Sequence, residues 1–204
     1  QLLIAIDKWT EILDRDGKID AIYFDFMKAF DTVPHNRLMT KLQGHGINNS
    51  MCKWIGSFLS NRRQRVVING THSEWGSVSS GIPQGSILGP LLFVIFINDL
   101  PSVVDSSMLL FADDTKIFRE IKSYLDQDDI QKDINKMNTW SQNWLLKFHP
   151  DKCKVLRFGK ADDIQKQYVL NNHPLSYTDE EKDLGVTIDT NLKFETHINN
   201  KVNT

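Results

Sequence analysis

Cysteine is scarce in this chain of 204 residues: Cys52 and Cys153 stand far apart and form no CxxC pair. A disulfide framework and a zinc knuckle are therefore excluded, and a reducing compartment fits best. Long hydrophobic runs are missing too. The longest, Ile87 to Ile97, is interrupted by Gly89 and Pro90 and falls short of the roughly 20 apolar residues a membrane helix needs. No signal-peptide pattern opens the chain, and the sequons at Asn48 and Asn69 read as accidental. Nor is there an excess of one charge. With 24 Lys and Arg against 26 Asp and Glu, the net charge of −2 gives no global attraction for nucleic acid, so such a partner must be argued from local sites. Internal repeats and low-complexity tracts are absent. What remains is a 40% hydrophobic chain able to bury one good core, as one domain with at most a small appendage. It starts at Gln1 and stops at Thr204 within an unfinished helical pattern, and so reads as a piece of something larger.

The apolar periodicity predicts a mixed α+β order. Leu2, Leu3, Ile6, Trp9 and Leu13 recur at helical spacing over residues 2–14, and Gly17 supplies the stop. Residues 19–26 follow as a strand covered on both faces. Helical patterns occupy 35–43 and 50–59, the second with Met51, Trp54, Ile55 and Phe58 on one face. Asn69-Gly70 between 65–68 and 71–78 is the strongest hairpin signal, because both residues accept the positive φ of a type I′ turn. The loop GIPQGSILGP (81–90) leads into LLFVIFINDL, expected as a helix buried all round. Ser123 and Asp126 offer a capping box to a long helix whose inward face carries Leu125, Ile130, Ile134, Met137, Trp140 and Trp144. Strands are expected at 153–158, 167–170 and 183–188, and a partial helix from Glu195. The five tryptophans, mainly at helical core spacing, are not read as base-stacking platforms.

One stretch breaks the apolar logic. In SSMLLFADDTKIF, Asp113 and Asp114 interrupt strand material and suit the tight turn of a hairpin. Acids at a turn are ordinary; an unpaired carboxylate beside LLF and KIF is costly, and a divalent cation offsets that cost. Asp25 likewise ends an apolar strand, in YFDFMKAFD. If that strand lies beside the hairpin, Asp25 and Asp113 converge on a pair of magnesium ions of the kind that clamps the attacking and leaving oxygens of phosphoryl transfer. Asp31 reads as a cap instead.

Five ordered blocks carry a resemblance: YFDFMKAFDTVPH (23–35), SGIPQGSILGPLLFVIFINDLP (80–101), FADD (111–114), NWLLKFHPDKCKVLRFG (143–159) and KDLGVTIDTNLKFETHI (182–198). In order and spacing they resemble the reverse transcriptase domain of non-LTR retrotransposons, the jockey-like group most closely. The resemblance implies a right-hand polymerase palm: a small antiparallel sheet backed by helices, the fingers mostly missing and the thumb absent. Residues 1–160 would be the palm with a partial fingers segment, and 161–204 a primer-grip-like hairpin leading toward the missing thumb.

It also implies roles by position. Asp25 and Asp113, with the backbone carbonyl of Phe26, would hold two Mg2+ ions, or Mn2+ in their place; Asp114 matches the neighbouring acid. Phe30 matches the aromatic that shuts against the sugar, though a core aromatic reads the same. Pro83, Gln84 and Gly85 match the loop that cradles the incoming nucleotide. Lys152 matches the lysine near the pyrophosphate, a catalytic residue or an ordinary surface lysine; His149 stands where relatives often have Asn. Leu184 and Gly185 resemble the primer grip. Arg62, Arg63 and Arg65 are candidates for template phosphates or a solvated hairpin rim, and Lys147, Lys152, Lys154, Arg157 and Lys160 form a second basic stretch. The expected activity is RNA-directed DNA polymerisation, with an RNA template, a DNA primer and deoxynucleoside triphosphates as partners. The missing fingers, thumb and endonuclease would belong to a larger polyprotein, with no membrane and with nuclear or cytoplasmic residence. Two other readings stay open: a truncated or decayed remnant that binds nucleic acid without catalysis, and an unrelated metal phosphatase, which lacks an accompanying nucleophile or base.

Overall fold

The computed structural model describes residues 1–160 and 166–202. In chain order the elements are α1 (Leu2–Leu13), β1 (Ile19–Phe24), α2 (Ala29–Thr32), α3 (His35–Gly44), α4 (Asn49–Leu59), β2 (Arg63–Gln64), β3 (Val67–Ile68), β4 (Thr71–His72), β5 (Gly76–Ser77) and α5 (Leu88–Ile97). There follow β6 (Ser107–Phe111), β7 (Asp114–Glu120), α6 (Tyr124–Trp144), β8 (Lys154–Phe158), β9 (Val169–Leu170), β10 (His173–Pro174), β11 (Ser176–Thr178), β12 (Glu180–Asp183), β13 (Val186–Asp189) and α7 (Glu195–Val202). They form two compact units. The first comprises residues 1–26, 100–141 and 148–204, and the second 27–99 and 142–147. The boundary expected at 160/161 adjoins residues 161–165, which lie outside the described residues.

In the first unit five strands run in the order β11, β8, β1, β7, β6. β1 is central and antiparallel to both neighbours, with Phe24 opposite Thr115 on one side and Ile22 opposite Val155 on the other. Its continuous apolar centre is explained by this position, since helix or chain covers both faces. The sheet is not purely antiparallel as expected: β11 joins β8 in parallel, because the chain after β8 crosses back before adding the edge strand. Ala5, Trp9 and Ile12 of α1 pack on Ile19, Ala21, Phe118, Leu156 and Phe158, with Trp9 edge-on to Phe118 at 5.6 Å between ring centroids. Asp20, buried at a strand position, is satisfied by two 2.6 Å bonds from the Arg157 guanidinium and a 2.6 Å bond from the Tyr168 hydroxyl. Arg157 is therefore committed to the sheet, which removes it from the expected basic surface.

The second unit is helical with a small protruding hairpin. Asn48 caps α4 by accepting a 2.8 Å bond from the Met51 amide, and Asn69 (φ 48°) and Gly70 (φ 80°) make the turn between β3 and β4 that their sequence implies. Expectations of burial on α4, α5 and α6 are corrected. On α4 the buried positions are Cys52, Ile55 and Leu59, so the inward stripe is rotated from the expected one and Trp54 is 54% exposed. Trp75, on the hairpin, is 49% exposed, and α5 buries Leu92, Phe93, Phe96 and Ile97 but exposes Leu91 and Val94. On α6 Leu125 is 71% exposed, and burial begins at Gln127.

Half of the expected capping box of α6 is present: Asp126 Oδ2 accepts from the Ser123 amide at 2.9 Å and from its hydroxyl at 3.1 Å, while the Asp126 amide donates to the Ser123 carbonyl rather than to its hydroxyl. Farther along, the buried Asp133 carboxylate accepts from the amides of Asp105 (3.1 Å) and Ser106 (2.8 Å), fixing the segment that enters β6. Burial alone would raise its pKa, but bonds from Ser106, Asp105 and Lys136 outweigh burial and hold it below the ordinary carboxylate value. A depressed carboxylate stabilises the fold above its unfolded pKa, and that stability is lost as pH falls through the folded value. Asp133→Ala is thus expected to cost about 2–3 kcal/mol at pH 7. In denaturant titrations the gap from the parent should narrow steadily below pH ~4.

Candidate active site

The register of β1 on β7 positions the acids. One residue beyond the last pair, Phe24 with Thr115, stand Asp25 on one chain segment and Asp114 on the other, and Asp113 lies in the turn just past them. That turn is a two-residue loop, Ala112–Asp113, closing the Phe111–Asp114 pair. Ala112 sits at φ 52°, a left-handed conformation that local preference reserves for Gly, Asn or Asp. Strain of this kind persists only where the surroundings over-determine it. Here β6 and β7 are both fixed in the sheet.

Electrostatically the turn is crowded. Asp114 is pushed above the ordinary carboxylate pKa, first by burial and next by Asp113, with Asp183 and Asp25 adding and Lys116 opposing. The compensating cation near Asp25 is weak: Lys152 Nζ lies 3.7 Å from Asp25 Oδ1, with both side chains substantially exposed. Lys152 is held there by the short helical turn Pro150–Lys152. Its segment is docked by a 2.8 Å bond from the His149 amide to the Asp25 carbonyl, so His149 orients this turn through its backbone. Phe26 pairs with Phe148 in an antiparallel bridge, their rings stacked 4.5 Å apart. The bonds flanking that bridge, His149 to Asp25 and Met27 to Lys147, make it a non-hydrogen-bonded pair, which turns the Phe26 carbonyl away from the 148 segment and leaves it open.

Among the described residues, no group of three His, Cys, Asp or Glu side chains is placed to hold a metal ion by itself. An open set of two carboxylates and a backbone carbonyl, with excess negative charge and exposure to solvent, still suits Mg2+, which keeps water and substrate oxygens as its other ligands. The nearby Cys153 is no nucleophile: burial pushes its thiol up to about 11.

A cavity of about 140 Å3 adjoins the acids, lined by Asp25 and Asp114 and also by Tyr23, Lys116, Lys152 and Asp183. Lys116 and Asp183 form a buried ion pair, and the Tyr23 hydroxyl donates to Asp183 at 3.5 Å. Sequence reading missed both partners. The only signal was a lysine two residues after the second acid, directly before the apolar pair Ile117–Phe118. Asp183 directly precedes Leu184 and Gly185, whose φ values of 48° and 83° make the tight turn between β12 and β13.

The remaining candidates lie in the second unit. Phe30 stacks on Phe93 with centroids 4.5 Å apart. Gly81 (φ 85°) approaches Asp31 so closely that a Cβ would lie 2.5 Å from the Asp31 carbonyl oxygen. The loop that follows carries Pro83, Gln84 and Gly85 (φ 77°), and Gln84 Nε2 donates to Asp31 Oδ1 at 3.0 Å. Asp31 is thus a partner of this loop as well as a first-turn acid of α2. Arg62 is turned inward, donating to the carbonyls of Leu59 (3.1 Å) and Gly81 (2.6 Å). Arg63 and Arg65 are exposed and flank Trp75, their guanidinium carbons 5.6 and 4.7 Å from its ring centroid.

Residues 7–188 match the family model described as reverse transcriptase (RNA-dependent DNA polymerase). Among curated proteins, the RNA-directed DNA polymerase from mobile element jockey of Drosophila melanogaster is 29% identical over 209 aligned residues, covering 98% of this chain and 23% of the relative. The probable RNA-directed DNA polymerase from transposon X-element of the same organism is 27% identical, covering 97% of this chain and 22% of the relative. The chain thus spans less than a quarter of the length of these relatives. Among solved structures, the apo telomerase of Candida tropicalis truncated from the C-terminal domain superposes with a TM-score of 0.63 at 15% identity, covering 93% of this chain and 38% of that one, a likeness of fold. A family match over nearly the whole chain leads to one conclusion: the chain belongs to the reverse transcriptase family, as a domain homologous to the polymerases of jockey-type mobile elements.

Proposed function

We propose that this domain carries out RNA-directed DNA synthesis, extending a DNA primer on an RNA template with deoxynucleoside triphosphates. The observation that carries the reading is the meeting of Asp25 with the Asp113–Asp114 turn at one end of β1 and β7, in a chain whose family is that of RNA-dependent DNA polymerases. Asp25, Asp113 and the Phe26 carbonyl would hold the divalent ions, Mg2+ or Mn2+. When bound, these supply Lewis-acid activation of the primer hydroxyl and neutralise charge on the phosphates.

The chain's own residues do the rest. Asp114, itself exposed to solvent, adds negative potential beside the ligands and so favours dication over monovalent salt. Lys152 is the mobile ammonium that can offer charge or a proton to a departing pyrophosphate, its 3.7 Å distance from Asp25 leaving it free to move. Phe30, held flat by Phe93, takes the part of the wall that excludes a 2′-hydroxyl. Gly85 lets backbone approach a nucleotide closely, and Gln84 is presented by its bond to Asp31. Leu184 and Gly185 grip the primer end. Arg63 and Arg65 add sequence-independent attraction for template phosphates, which is salt-dependent. Residence in nucleus or cytoplasm belongs to the same proposal.

Two measurements test it. In primer extension on an annealed RNA template, Asp113→Ala should lose at least a thousandfold in rate while duplex binding stays within about threefold; equal extension by parent and variant would refute the assignment. No extension by either, with duplex binding retained, would place this chain with the remnants. Phe30→Val should raise the ratio of ribonucleotide to deoxynucleotide incorporation by about tenfold or more, corresponding to roughly 1.4 kcal/mol of lost discrimination. An unchanged ratio would return Phe30 to a packing role.

A further inference from the structure

Among the described residues, β12 and β13 pair only with each other and are not hydrogen-bonded into the five-stranded sheet. At its base the hairpin is tied to the sheet by the backbone, since β12 follows β11 with only Asp179 between them; nearer the turn the ties come from side chains. On β13, Ile188 is anchored in the core of the first unit. At the turn itself the anchor is Asp183, the last residue of β12, whose carboxylate meets the ammonium of Lys116 on β7. Both are almost wholly enclosed, Lys116 being 1% exposed and Asp183 5%. Lys116 also donates to Gln1 Oε1 at 3.1 Å, and Tyr23 of β1 donates to Asp183 at 3.5 Å. The contact thus ties three strands at one point.

Strand alternation places Lys116 on the same face of β7 as Asp114, and both line the cavity that Asp25 shares. An ammonium so close to the carboxylates would compete for their charge were it not already paired. Asp183 satisfies it from the hairpin side. The geometry points to Lys116 and Asp183 as a positioning pair that holds the Leu184–Gly185 turn, and with it a primer terminus, in register with the Asp113–Asp114 turn. This inference rests on the polymerase reading for the identity of the primer and on the structure alone for the tie. A buried ion pair contributes little net stability compared with an apolar replacement, and a registry role is its best-attested use.

The decisive variant is the double substitution Lys116→Met with Asp183→Asn, which leaves no charge unpaired and so should fold with a Tm close to the parent's. Hydrogen exchange of amides 180–189 should then quicken at least tenfold while amides 19–24 of β1 stay within twofold. Affinity for a primer–template duplex with a recessed 3′ end, read by fluorescence anisotropy, should fall at least fivefold. In extension assays the loss should fall on the KM for the duplex rather than on kcat. Lys116→Arg, which keeps the charge, should remain within threefold of the parent in exchange and affinity. Parent-like exchange and affinity in the double variant would overturn the inference, as would equal loss of protection in β1, which marks a merely structural pair. Faster hairpin exchange with unchanged affinity would overturn the primer role. A parent that binds no duplex would sink the polymerase reading instead, and exchange would still decide whether the pair holds the turn.

Discussion

Everything at this site depends on one register, that of β1 against β7. The pairing runs from Ile19 opposite Glu120 to Phe24 opposite Thr115, and so delivers Asp25 beside the Asp113–Asp114 turn. Because side chains alternate with period two, a slip of one residue would send Asp25 and its apolar neighbours to the wrong faces and empty the core that Trp9, Phe118 and Phe158 fill. The apolar packing that stabilises the sheet is thereby the same constraint that holds the acids together. Burial first, and next the repulsion of Asp113, push Asp114 upward, and the fold imposes both. A site under such a constraint is built to receive positive charge.

The same economy appears at the two tight turns. Ala112 and Leu184 both adopt positive φ where their side chains gain nothing locally. Each is held by strands on either side, and each places a short loop at the edge of the carboxylate cavity. Lys116 and Asp183 join the two loops through the interior. Tyr23, whose phenol is pushed up first by burial and then by Asp183, stays a neutral donor and completes the link.

Much of this was legible in the sequence, for physical reasons that can be named. Acids that end apolar strands stand out because burial makes them expensive; the Asn69-Gly70 turn and the cap that Asp126 gives the Ser123 amide are local chemistry, and the structure shows both. Short-range rules could not supply the rest. The Lys116–Asp183 pair spans a sequence separation no periodicity encodes. Arg157 looked like a surface cation in a basic stretch, whereas the buried Asp20 claims it. Trp54 looked like core because helical spacing and aromatic size suggest burial, but its burial depends on which neighbour the fold supplies. The parallel β11–β8 pair was invisible for the same reason, since edge-strand direction is set by the route of the chain before it.

The central claim is that Asp25 and Asp113 act as one divalent-cation site created by strand register. The measurement that tests it most directly is a Mn2+ titration of the purified chain, with free ion read by electron paramagnetic resonance, on the parent and on Asp25→Asn and Asp113→Asn. The expected result is saturable binding by the parent, weakened at least tenfold by either substitution, with no further loss on combining them because the ligands work together. Independent, additive losses would contradict a shared site, and affinity indifferent to both substitutions would contradict the site itself.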